Sequence, residues 1–404
     1  MKRLVPLVAL TLVGADWPQF GGPRRDFAVA EAVLAATWPA EGPRALWRRP
    51  LGEGYSAISV ASSRLFTMYR RGEQEVIVAL DAASGATAWE HAYEATFSSE
   101  YDMQHGPGPH ATPLVAGGRV FAAGATGVLH ALDQATGRLL WRRDLIGALG
   151  GTLRPNGYAC SALAFGDTVI VFVGGKGHAV VAFRQRDGSV AWHSGDFRNS
   201  ASSPLLIDVA GEPQLVAFLY EEVTGFDPRD GRLLWRHPHV TEFGLNVSLP
   251  VWGDDGLLFI SAAYGGGSRV LHINREGGRP GVEELWHSSL MRLHFGNALR
   301  LSDFVVGSSG DFGPAPLTAI DVRTGQVLWR NRSLARASLL RAGERLILLD
   351  EDGQLALASA TRAGLQIHAK AQLFDGLSWT VPTLDGTVLY ARDRKAIVAL
   401  DLSK

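Results

Sequence analysis

The chain has 404 residues, 46% hydrophobic and 20% charged, with a formal net charge of −1. That apolar content excludes a disordered chain, and the balanced charge gives no electrostatic reason for nucleic acid or an anionic membrane as partner. The single cysteine, Cys160, excludes a disulfide scaffold and a four-cysteine zinc site.

The first fifteen residues read differently from the rest. Lys2 and Arg3 precede an apolar run, Leu4 to Val13, and Val13-Gly14-Ala15 ends it with residues that signal peptidase accepts. Ten apolar residues are too few to cross a bilayer core of about 30 Å as a helix. Residues 1–15 are expected to be a cleaved secretory signal, and residues 16–404 a single periplasmic or secreted domain. No later segment approaches 18 unbroken apolar residues, so no membrane span is expected.

Beyond residue 16 the chain repeats. A strand is followed by Asp-x-x-[Ser/Thr/Asp]-Gly, three residues and Trp. The pattern ends at Trp89, Trp141, Trp192, Trp235, Trp286 and Trp329, and a degenerate copy, Leu355 to His368, carries Ala360 and His368 in the Asp and Trp places. Successive Trp positions lie 39 to 52 residues apart. Such a period, with four short strands per unit, predicts the blades of a β-propeller. In the second unit the strands are placed at 110–115, 119–123, 127–132 and 139–142. Asp81, Asp133, Asp227 and Asp321 recur at one repeat position, so they read as turn formers and not as catalytic acids. Trp141, Trp235 and Trp329 are expected to be buried between blades. The last copy stops at Lys404 without a fourth strand, while a spare fourth-strand sequence, residues 44–49, precedes the first inner strand, placed at 55–60. The N-terminal strand should therefore complete the last blade and remove the open edges. This gives eight four-stranded antiparallel blades; the competing count is seven, with 337–368 as an insertion.

These repeats resemble the pyrroloquinoline-quinone-type propeller repeat, which quinoprotein alcohol dehydrogenases share with the propeller lipoprotein of the bacterial outer-membrane barrel-assembly machinery. The opening DWPQFGGPRRD, Asp16 to Asp26, is similar to that of secreted bacterial propellers of this group, as is the stretch Gly106 to Pro113. The resemblance covers residues 16–404 and implies the fold. For function it implies either a non-catalytic binding or scaffold protein, or an oxidoreductase using pyrroloquinoline quinone with calcium. The dehydrogenases carry adjacent cysteines, and a Glu, an Asn and an Asp around calcium. This chain has only Cys160 and no matching set, so no calcium ligand or catalytic base is carried over.

In a propeller the starts of the inner strands converge on one rim, the default place for a ligand. Those starts supply His110, Tyr158, Asn246, His294, Asn297 and Trp379 as candidate ligand-binding residues, with His105 in a long loop, Tyr93 to Pro109, as a lid contact. Trp379, outside the repeat position, could stack a planar quinone or a sugar. His105, His110 and His294 could converge on a metal, but hydrogen-bonded rim histidines are the simpler reading. Cys160 reads as packing. Gly174-Gly175-Lys176-Gly177 and Gly265-Gly266-Gly267 open no helix and read as hairpin loops rather than phosphate cradles. The leading expectation is a monomeric, non-catalytic propeller with a protein, a small planar molecule or a carbohydrate at its rim. The alternatives are the quinone-dependent dehydrogenase and a lyase-like propeller.

Overall fold

Each repeat forms a four-stranded antiparallel sheet. Eight such sheets are present in the computed structural model, which describes residues 16–98, 106 and 108–403. In chain order the blades span 59–94, 114–144, 163–194, 205–238, 251–288, 298–331, 337–372 and, for the eighth, 383–401. The degenerate copy is a full blade, with strands Ala337–Ala342, Arg345–Asp350, Gln354–Thr361 and Gly364–Gln372, so the count is eight and not seven. Arg44–Pro50 pairs antiparallel with Ala396–Asp401, Trp47 opposite Ala399, and closes the ring as the sequence predicts. The signal expected at 1–15 lies outside the described residues.

The repeat motif is a docking device. Asp133 Oδ1 accepts from the backbone and hydroxyl of Thr136, and Asp81 does the same with Ser84, which fixes the turns. The turn glycine of one blade then receives the indole of the blade before it. Trp141 donates Nε1–H to Gln185 O at 3.0 Å, and a Cβ on Gly188, whose φ is +68°, would stand 2.6 Å from that indole. The same bond joins Trp47 to Ala82, Trp89 to Gln134, Trp192 to Pro228 and Trp286 to Val322. Trp141 and Trp235 are buried, as expected. Trp329 is not: it is half-buried, as are Trp47 and Trp286; unlike theirs, the turn it meets is Thr361-Arg362-Ala363 in place of the Asp-to-Gly form, and only the bond to Thr361 O is kept. At the junction after that blade, where His368 replaces Trp, the buried Trp38 of the N-terminal segment joins the apolar cluster instead.

The inner strands are shorter than the sequence pattern suggests, beginning at Ser59 and Leu114 rather than at Tyr55 and His110. Eight chains crowd the axis there, and the backbone ahead of each strand bonds to the neighbouring blade instead of its own sheet. Ala57 N donates to Thr112 Oγ1, Thr112 N to Ser161 Oγ, and Ser161 N to Ser203 Oγ. Ser202 Oγ donates to Ser248 O and Ser248 Oγ to Gly296 O. Asn297 exchanges two bonds with the Leu339 backbone, Ser338 Oγ reaches Trp379 O, and Thr380 Oγ1 donates to Tyr55 O. This belt crosses all eight junctions.

The opening motif plugs the axis from below. Trp17 bridges Val60 of blade 1, and Ala28–Val29 adds a parallel strand to the axial side of blade 7. Between them the Arg25 guanidinium, 2% exposed, donates to Ser161 O, Ala162 O and Pro204 O of blades 3 and 4. Burial lowers its pKa to about 10, so it stays charged at neutral pH. Phe27 joins a buried cluster with Leu205, Leu249, Leu299, Leu339 and Val381. Arg25 and Phe27 both hold left-handed φ, +57° and +53°, a strain of about 1 kcal/mol each that the inward contacts offset.

Candidate functional site

With the lower end plugged, the chemistry open to solvent near the axis lies on the opposite, top face. There the segments leading into the inner strands meet the loops that join second and third strands. The lead-in segments carry an aromatic arc. Tyr55 stacks on His110 (centroids 5.5 Å, planes 3° apart) and on Trp379 (5.4 Å), and Trp379 meets Phe295 at 4.6 Å. Phe295 adjoins His294, whose ring takes Tyr264 and Phe312 edge-on at 5.0 and 5.5 Å. Glu351 Oε2 accepts from Trp379 Nε1 at 3.0 Å and lies 3.6 Å from Arg336, which covers the Phe295 ring. The rings brace one another across blades 2, 1, 8 and 6.

The residues singled out from the sequence divide into two groups. His110, His294 and Trp379 are gathered into this arc. His110 Nε2–H donates to Asn156 O, and His294, beside Arg336, is held neutral by burial, its pKa lowered to about 4. Tyr158, Asn246 and Asn297 lie beneath the arc and bond to backbone, with Asn246 Oδ1 left without a partner. Tyr158 donates to Phe172 O, Asn246 Nδ2 to Leu219 O and His239 O, and Asn297 belongs to the interblade belt. They support the rim and do not face solvent. His105, and about half of the loop proposed as a lid, lie outside the described residues. Cys160 is buried, its thiol pushed up to about 11 by desolvation, which suits packing and not nucleophilic attack.

Sequence reasoning missed the outer part of this face. Tyr220, Tyr264 and Phe312 occupy the same loop, between second and third strands, in blades 4, 5 and 6. Phe243 packs edge-on against Tyr264 at 5.3 Å, and Tyr264 against Phe312 at 5.9 Å. Phe312 is 81% exposed, Val240 62%, Leu290 54% and Phe243 50%. Beside them an open cleft of about 510 Å³ is lined by Arg198, Tyr220, Val240, Thr241, Glu242 and Tyr264. Arg198 lies 3.5 Å over the Tyr220 ring, with Arg154 farther out. The signal that could have found this sector is an aromatic at one loop position in three successive repeats.

Next to this cleft His239 is fully buried, and neither ring nitrogen has a hydrogen-bond partner. Burial, with Arg269, His287 and His237 nearby, lowers its pKa to about 3. Because the folded pKa lies below that of the unfolded chain, its contribution is intact above pH 6.5 and is lost as pH falls toward 3. Between pH 7 and 5 the loss is expected to be about 2 kcal/mol. The Tm of the wild-type chain should fall more steeply over that interval than that of His239→Leu; equal slopes would contradict the assignment.

The residues at the axis do not fit pyrroloquinoline quinone with calcium. The rings that could sandwich a quinone are already in contact with one another, and Glu351 is engaged by Trp379 and Arg336. Among the described residues no group of three or more His, Cys, Asp or Glu is placed to hold a metal ion.

Fold and repeat together define a propeller of the pyrroloquinoline-quinone-like repeat class. The family model described as outer membrane protein assembly factor BamB matches residues 31–213 and 72–331, overlapping as a self-similar repeat allows, and the chain belongs to that family. It is 25% identical over 285 residues to the outer membrane protein assembly factor BamB of Shewanella oneidensis, covering 65% of this chain. It is 26% identical over 273 residues to that of Yersinia pestis, covering 62%. The chain spans 66% of the length of each of these relatives. Among solved structures, BamB from Moraxella catarrhalis superposes with a TM-score of 0.61 at 20% identity, over 89% of this chain and 99% of that one. The quinohemoprotein alcohol dehydrogenase of Comamonas testosteroni gives 0.66 at 13% identity, over 96% and 81%. At these identities the structural likeness concerns the fold.

Proposed function

We propose that this chain is a non-catalytic scaffold of the bacterial periplasm, delivered by the signal at residues 1–15, that holds a protein partner from outer-membrane protein assembly on its top face. The observation that carries this reading is the aromatic sector of blades 4 to 6, where Phe243, Tyr264 and Phe312 touch and two of them are at least half exposed. A contiguous apolar patch rimmed by charged residues marks a protein-interaction surface. The family relationship supports the choice of partner, and no helix among the described residues is long and apolar enough to cross a membrane. His110, His294 and Trp379 form the inner margin of the surface. The chain acts as a monomer bound to its partner.

Phe243→Asp and Phe312→Asp alter exposed side chains and should leave the Tm unchanged while weakening co-purification of outer-membrane assembly proteins from the native host at least about tenfold. Undiminished recovery with both variants would move the site elsewhere. The dehydrogenase reading has its own test. Purified chain given pyrroloquinoline quinone and calcium is expected to show neither a shifted quinone absorbance nor dye-linked alcohol oxidation. Turnover abolished by Trp379→Ala would promote it.

A further inference from the structure

The glycine-rich loop of blade 3, Gly174-Gly175-Lys176-Gly177, is no phosphate cradle, but it ends in a histidine and curls over a second one. His178 follows it directly, and His193 stands on the outer strand Val190–Ser194 beside it. The two imidazoles lie 4.5 Å apart with planes 20° from parallel. His178 Nδ1 is 2.9 Å from Lys176 O, and His193 Nδ1 is 2.7 Å from Gly177 O. A carbonyl oxygen only accepts, so both Nδ1 atoms carry the proton. In the neutral rings the lone pairs are therefore on Nε2 of both residues. Asp196 Oδ1 accepts from Gly177 N at 2.6 Å and fixes the loop that supplies the two carbonyls.

Two imidazoles whose Nδ1–H groups are anchored on backbone carbonyls share with metal-ligating histidines the bond that fixes the tautomer and leaves Nε2 free to ligate. We propose that His178 and His193 form a surface site for a divalent first-row transition metal, bound through both Nε2 atoms, with water completing the coordination. Imidazole pairs favour Cu²⁺, Ni²⁺ and Zn²⁺ over Mg²⁺ and Ca²⁺, with Cu²⁺ held tightest. His193 is exposed and His178 half-buried, so the metal enters from solvent; bringing both Nε2 atoms to about 2.0 Å from one ion requires the rings to rotate out of their near-parallel stack.

The experiment is a Cu²⁺ titration of the purified full chain, read by calorimetry and by electron paramagnetic resonance. The expected result is one tightly bound Cu²⁺ whose spectrum shows coupling to two imidazole nitrogens. His178→Ala and His193→Ala should each weaken it at least about tenfold and remove one coupled nitrogen, and His237→Ala should leave it intact. Mg²⁺ should not compete. Circular dichroism and Tm in the absence of metal separate loss of the site from loss of the fold. Equal Cu²⁺ affinity in the His178→Ala/His193→Ala double variant, or a two-imidazole spectrum that survives it, would overturn the proposal.

Discussion

A chain lacking residues 16–50 is expected to aggregate rather than accumulate as a soluble monomer. The deletion removes Arg44–Pro50, leaving the Ala396–Asp401 strand as an open edge with an unpaired row of backbone donors and acceptors. It also uncovers the apolar faces covered by Trp17, Phe27 and Trp38, all under 10% exposed, and leaves Ser161 O, Ala162 O and Pro204 O without the Arg25 guanidinium. Arg392, fully buried at the closing junction, donates from blade 8 to Ser56 O, Thr67 Oγ1 and Met68 O of blade 1. That contact alone does not replace a missing strand. Size-exclusion chromatography checks the outcome: a monomeric peak with an unchanged Tm would refute the pairing.

Trp141→Ala should cost about 3–5 kcal/mol. The indole is 7% exposed, bonded to Gln185 O and seated on Gly188. Truncation opens a cavity between blades 2 and 3 and leaves a buried carbonyl without its donor. The same change at Trp329 should cost distinctly less, because that ring is half-buried against a turn that lacks the Asp-to-Gly form. Denaturant unfolding of the two variants measures the difference. Equal losses would mean that neither the Asp-to-Gly turn nor the burial of the ring sets the strength of a junction.

The parts of the fold legible in the sequence are those that repeat. Asp133 and Gly137 fix their turn locally and Trp141 docks on the equivalent turn of the next blade, so eight copies announce eight blades, and the spare strand at 44–49 announces the closure. The plug was not legible, because Trp17, Arg25 and Phe27 belong to a segment with no period, and its contacts are made with blades distant in sequence, as far as Ala28 with Arg341. The rim was half legible. Ser and Thr at inner-strand starts have the chemistry of a ligand shell and equally that of an interblade belt; only the crowding of eight backbones at the axis decides for the belt. Asn297 was misleading for that reason. Trp379 stood out because it lies outside the repeat position, and His294 because it stands at the start of an inner strand. Phe243 did not, since a lone exposed aromatic in a loop carries no pattern of its own, and Phe312 is marked only by comparison with Tyr220 and Tyr264 at the same loop position of the two preceding repeats.

A photo-activatable cross-linker placed at Phe312 in the native host tests the central claim most directly, with the same reagent at Val190, exposed on the outer strand of blade 3, as reference. The account predicts an adduct with an outer-membrane assembly protein from position 312 and none from position 190, reduced when Phe243→Asp is added. Adducts from 190 and not from 312, or from neither position while the chain still co-purifies with such proteins, would contradict it.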